Sequence, residues 1–211
     1  MVSDRHDATV RGRAHARARR LPWPPAIHAI LWIDGVLLVA AALALAGMPP
    51  ALGHGASAWT WLALAGSTLT AATAALSAFE LSSRRPSRVW TWLPLPSFLI
   101  WIGASGLGCF GAGAEAWGAT LEQAGRCLKF LLAISAPLLA LMVFMLWRVA
   151  PEMPGRVMAL GGLASAGAAA TLLSLVHPHD AALLDLGAHV IALAIILGAS
   201  AVAARLRPRR G

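Results

Sequence analysis

Six apolar stretches of about twenty residues follow one another through this chain, at residues 26–47, 59–81, 89–110, 127–149, 155–176 and 181–204. An α-helix rises 1.5 Å per residue, so roughly 20 apolar residues match the ~30 Å hydrocarbon core of a bilayer. Within lipid every backbone N–H and C=O must be satisfied inside the protein, which leaves only helices and closed barrels as spanning structures. Barrel strands alternate apolar and polar residues over about ten positions, whereas these runs stay apolar throughout and are rich in Ala and Leu, both good helix formers. The pattern predicts an all-α, polytopic membrane protein with a bundle of six transmembrane helices. Composition agrees: 58% of residues are hydrophobic, only 12% are charged, and the mean hydropathy is +0.70. Lipid, rather than water, is the solvent for such a chain.

The separators are turn-rich. Met48-Pro49-Pro50 with Gly53 and Gly55, Arg84-Arg85-Pro86-Ser87-Arg88, Pro151-Glu152-Met153-Pro154-Gly155 and His177-Pro178-His179 all interrupt helices, because proline lacks a donor and clashes with the preceding turn. Residues 1–25 then form a basic N-terminal tail, 26–204 the membrane domain and 205–211 a basic C-terminal tail. Lys and Arg in short loops are retained on the cytoplasmic side. All but two of the 17 fall in the two tails and in the second and fourth connections; Arg126 and Lys129 are the exceptions. An even number of spans with both termini cytoplasmic follows. The first span is longer than a signal-peptide core, and its removal would break the even topology. The net charge of +8 sits in clusters between apolar runs, with no groove-reading motif beside it, so direct nucleic-acid binding is not expected. Trp23, Trp59, Trp61, Trp90, Trp92, Trp117 and Trp147 mostly fall near span ends, where an indole is comfortable. Small residues four apart, Ala104–Gly108 and Gly162–Ala166, suit close helix packing.

The polar residues of interest gather at the non-cytoplasmic ends. Cys109 closes the third span and Cys127 opens the fourth, a pairing suited to a disulfide or a redox sensor, or else two small buried thiols. His177, His179 and Asp180 lie in the last outer loop. Asp185 and His189 follow four apart, on one helix face. Imidazole and carboxylate can hold a divalent metal or sense pH; the favoured reading is that Asp180 caps the last helix while Asp185 and His189 satisfy one another. No other cofactor is indicated. Asp34, within the first span, needs a partner at membrane depth, and an interhelical hydrogen bond is preferred to a transport path. Glu80, at the inner end of the second span, is expected to be solvated.

The run Ala78-Phe79-Glu80-Leu81-Ser82, the segment Arg88-Val89-Trp90-Thr91-Trp92-Leu93-Pro94-Leu95-Pro96 and Gly106-Leu107-Gly108-Cys109 resemble the NrsF-like integral-membrane anti-sigma factors. So do Cys127, the Ala150-Pro151-Glu152-Met153-Pro154 turn and the His177-Pro178-His179-Asp180 segment with Asp185 and His189. The resemblance covers roughly residues 22–206. It implies a multi-pass protein of the bacterial inner membrane, not an enzyme, that holds an extracytoplasmic-function sigma factor on the cytoplasmic side and releases it on an envelope, redox or metal signal. Cys109 and Cys127 match the sensing cysteines. The chain departs from the family where residues 1–20 are Arg-rich with only Asp4 and Asp7 as acids; such a tail also suits anionic lipid, at about 1 kcal/mol per nearby Arg. A small ion, proton or metal transporter and a membrane thiol oxidoreductase are the competing classes. Against the first stands the lack of an inverted repeat, and against the second a supply of only two cysteines.

Overall fold

The computed structural model describes residues 23–48, 57–83, 87–111, 121–149, 154–176 and 183–206. These form six helices: α1 (Pro25–Leu45), α2 (Ala58–Glu80), α3 (Leu95–Gly111), α4 (Leu121–Val149), α5 (Pro154–Val176) and α6 (Leu183–Arg205), with no strand among the described residues. Five of them, all but α3, are long and apolar enough to cross a membrane. The chain is an all-helical membrane protein.

The helix ends follow local chemistry. α1 and α5 start on Pro25 and Pro154, where the missing N–H would have had no acceptor in any case. Ser57 caps α2 by accepting from Thr60 N at 3.2 Å. Two ends differ from the hydropathy reading. The third apolar run does not form one helix from residue 89: Arg88–Thr91 is a 3₁₀ turn, and the α-helix begins only at Leu95, because Pro94 and Pro96 are tolerated at a first turn but not within one. The fourth helix begins six residues before Cys127, since Glu122 suits the positive end of the helix dipole and pairs with Arg126 one turn on, at 3.6 Å. Pro137 sits inside α4 and removes one donor from its ladder.

α5 lies at the centre. Two-thirds of its apolar window (67%) is buried inside the bundle, against 17% for α1. Its sequence explains this: Gly161, Gly162, Ala164, Ser165, Ala166, Gly167, Ala168, Ala169 and Ala170 leave almost no side chain to hold neighbours away. A Cβ built on Gly167 would lie 3.0 Å from Ser67 O and 3.1 Å from Ala71 N of α2, and one on Gly162 would collide with Ser200 Oγ of α6. Gly66 of α2 plays the same part toward α3, where an added Cβ would meet Trp101 N at 2.7 Å.

Hydroxyl groups stitch these close crossings. Thr171 of α5 donates to Gly167 O at 2.9 Å and lies 3.0 Å from Ser67 Oγ of α2. Thr70, with one proton to give, is placed to donate either to Gly66 O at 2.7 Å or to Ser97 Oγ of α3 at 3.2 Å. Trp32 Nε1 of α1 donates to Leu138 O of α4 at 3.3 Å, a buried bond between helices.

The apolar interior has two parts. One joins Ala29 and Trp32 of α1, Phe79 of α2, Met142 and Leu146 of α4 and Val157 and Met158 of α5, with Ala204 of α6 packed against it. The other joins Trp101 of α3, Cys127 and Leu131 of α4, Ala169 and Leu173 of α5 and Ala188 and Ala192 of α6. Ile134 packs against both. The start of α1, the end of α2 and the end of α6 therefore belong to one end of the bundle, and the starts of α4 and α6 to the other.

Overpacking a filled crossing typically costs about 1–3 kcal/mol. Gly66→Ala and Gly167→Val are expected to lower the thermal unfolding midpoint of the detergent-solubilised protein, and Gly103→Ala, whose Cβ meets nothing within 4 Å, to leave it unchanged. Trp32→Phe removes the bond to Leu138 O and leaves a cavity where the larger indole packed, for an expected loss of about 2 kcal/mol in the same measurement.

Candidate functional site at the Cys127 end

Cys127 directly follows Arg126 on α4, just over one turn past Glu122, and is 4% exposed. Its thiol belongs to the second apolar cluster, among residues from four helices: Trp101 (α3), Leu131 (α4), Ala166 and Ala170 (α5), and Ala188 (α6). Trp101 is itself braced edge-on by Phe98, ring centroids 6.0 Å apart. Half of the cluster's buried residues are alanines, which leave little flexible side chain to absorb a change. Bonding a second atom to the sulfur would require the helices themselves to adjust.

Three other residues singled out by sequence lie on helix segments near this end. Cys109 lies in the last turn of α3, and Asp185 in the first turn of α6; the backbone of each is described, its side-chain placement is not. His189 follows Ala188 on α6, is half-buried and has a bonding partner. The structure thus brings Cys127 and the segment bearing His189 to one cluster through Ala188. His177, His179 and Asp180 lie outside the described residues. Among the described residues no group of three His, Cys, Asp or Glu side chains is placed to hold a metal ion.

Asp34 departs from expectation. It is exposed on the outward face of α1 and has no hydrogen-bond or ion-pair partner among the described residues, in place of the interhelical bond expected inside the bundle. The reason is angular. Two residues separate it from the buried Trp32, about 200° of helix turn, so Asp34 points away when Trp32 points in.

At the opposite end, the imidazole of His28 is buried between Trp23 and Phe79, with ring centroids 6.2 and 5.6 Å away, and its Nδ1 is 3.3 Å from Pro24 O. Sequence reading passed over this residue, although His28 and Phe79 sit at the start of α1 and the end of α2, where two antiparallel neighbours would meet. Glu80, next to Phe79, is half-exposed. Arg148 stacks on Phe144, 4.6 Å from the ring centroid, and Arg156 is exposed one turn into α5. The His28 end is thus the basic, aromatic end, and the opposite end carries the thiol of Cys127.

With the fold and both ends described, comparison with known proteins is decisive on one point. Residues 12–209 match the family described as NrsF, negative regulator of sigma F. The chain belongs to the NrsF family. The match runs through all six helices, so the family's sequence pattern and this bundle are coextensive. No curated protein and no solved structure matches the chain.

Because thiol reactivity requires access as well as ionisation, reduced Cys127 should alkylate roughly tenfold more slowly or worse than a cysteine placed at the exposed Arg126. Maleimide mass-shift time courses on the two single-cysteine proteins measure the difference.

Proposed function

We propose that this chain is a membrane-anchored anti-sigma factor that holds an extracytoplasmic-function sigma factor at the cytoplasmic face of the bacterial inner membrane and releases it when the thiols at the opposite face change state. The observation that carries the reading is the family match across residues 12–209, a family named for negative regulation of a sigma factor. The orientation rests on charge: the Arg-rich tails and inner connections belong with the His28 end, which makes this the cytoplasmic end. The sigma factor would then meet the N-terminal tail and the exposed basic groups Arg148 and Arg156, while the bilayer holds the rest.

The proposed signal is chemical change at Cys109 and Cys127. Oxidation of two thiols to a disulfide releases two protons and gives two electrons to an external oxidant. At Cys127 such a bond would form inside a cluster that draws on α3, α5 and α6, where the residue is 4% exposed. α4 also supplies Ile134, Leu138, Met142 and Leu146 to the core at the other end. From Cys127 to Leu146 is nineteen residues, about 29 Å of helix. A shift of α4 in its packing groove is therefore felt where the partner is held, as a change in the relative stability of two packed arrangements. A divalent metal held by His177, His179, Asp180, Asp185 and His189 is the alternative stimulus at the same end. No catalytic role is assigned to any residue.

Purified protein in detergent is expected to co-elute with an extracytoplasmic-function sigma factor from the same genome and to lose it on treatment with oxidant. Failure to bind any such factor overturns the proposal. Cys109→Ser with Cys127→Ser should retain binding but abolish release and the transcriptional response to oxidant; an unchanged response removes the thiols from the mechanism. His177→Ala with His179→Ala should abolish stoichiometric metal binding, measured by elemental analysis, if the outer loop is the receptor for the stimulus.

A further inference from the structure

The outward face of α1 is organised in a way that the bundle does not use. Ile27, Leu31, Asp34, Leu38, Ala41 and Leu45 are all exposed and are spaced alternately four and three residues apart. This is the 3.5-residue repeat of a helix-pairing seam, in which a single polar residue sets register and partner number. Asp34 is that residue, near the midpoint of Pro25–Leu45 and so near the middle of the bilayer, where a carboxyl group facing lipid is most unfavourable. No cation within the described chain answers it. Arg126, Lys129, Arg148, Arg156 and Arg205 all lie toward the ends of their helices. α1 is also the least buried of the five spanning helices, with its opposite side secured by Trp32 and Ala29.

We propose that α1 is the interface of a homodimer, with Asp34 of one copy hydrogen-bonded to Asp34 of the other at the centre of the seam. A second copy is the occupant that the geometry favours. Copies inserted in one membrane share an orientation, so a two-fold axis along the membrane normal sets every α1 residue against its counterpart at equal depth. The two acids then meet, and a carboxylic acid is both donor and acceptor, so the pair is self-complementary. A soluble partner cannot reach this depth, and the Arg-rich tail, held at the surface by its charge, cannot either. The inference does not rest on sigma-factor binding and is tested without it.

The full-length protein, labelled with donor and acceptor fluorophores and reconstituted into phosphatidylethanolamine–phosphatidylglycerol vesicles, is diluted with lipid while energy transfer is followed. The expected result is a monomer–dimer transition that Asp34→Leu moves roughly tenfold toward higher protein density. Asp34→Asn, which keeps a donor and an acceptor, should leave it near its original place. Asp34→Leu places an apolar side chain on a lipid-facing site, so folding is not at stake. Single cysteines introduced as L31C, L38C and L45C in a C109S/C127S background should cross-link to a species of twice the chain mass, whereas V36C and V39C, on the far side of the helix, should not. Energy transfer absent at every density, a dilution curve unmoved by Asp34→Leu, cross-links without the seam period, or cross-links in cells only to a species of another mass would each overturn the proposal.

Discussion

The close approach of backbones around α5 is the constraint on which the rest of the structure depends. In a bilayer there is no hydrophobic gain from bringing helices together, since lipid is as apolar as Leu, and association rests on contact and on hydrogen bonds. α5 meets that requirement by having almost no side chains over its central turns. Gly162 admits Ser200 of α6, and Gly167 admits the backbone of α2 at Ser67 and Ala71. Gly66 then passes the same economy of volume from α2 to Trp101 of α3. Once backbones are this near, short hydroxyls such as Ser67 and Thr171 span the gap that would otherwise need long polar side chains.

This packing makes α4 and α5 common to both apolar clusters. α4 contributes Cys127 and Leu131 to one cluster and Leu138, Met142 and Leu146 to the other, and Ile134 touches both. α5 likewise runs from Val157 in the first to Leu173 in the second. Cys127, 4% exposed in a cluster drawn from four helices, sits where those helices meet.

Much of the fold was legible in the sequence because hydropathy and helix length are set by the bilayer rather than by tertiary contacts. Each of the six runs corresponds to a helix among the described residues, and the breaker Pro154 marks the start of α5. What failed to read was local: Pro94 and Pro96 cut the third helix to start at Leu95, and Glu122 and Arg126 carried the fourth one outward beyond its apolar part. Of the small-residue pairs, Gly162–Ala166 lies in the packed face of α5, but Gly66 and Gly167, where the nearest neighbour is another helix's backbone, have no signature separating them from Gly103 and Gly106, which face open space. Most of the tryptophans assigned to span ends are exposed, while Trp32 and Trp101 are core residues. The candidate site was legible as residue types but not as neighbours. Nothing in one sequence says that Cys127 sits beside Ala188, or that Asp34 turns outward, because both depend on which face of each helix the bundle selects.

The entry into α3 bears on the surrounding lipid. Its α-helix begins only at Leu95, and the 3₁₀ turn Arg88–Thr91 comes before it. Val89 and Trp92 are exposed on that stretch, and an indole there sits comfortably among headgroups. A bilayer of different thickness would press first on this turn, at the foot of the helix that carries Trp101.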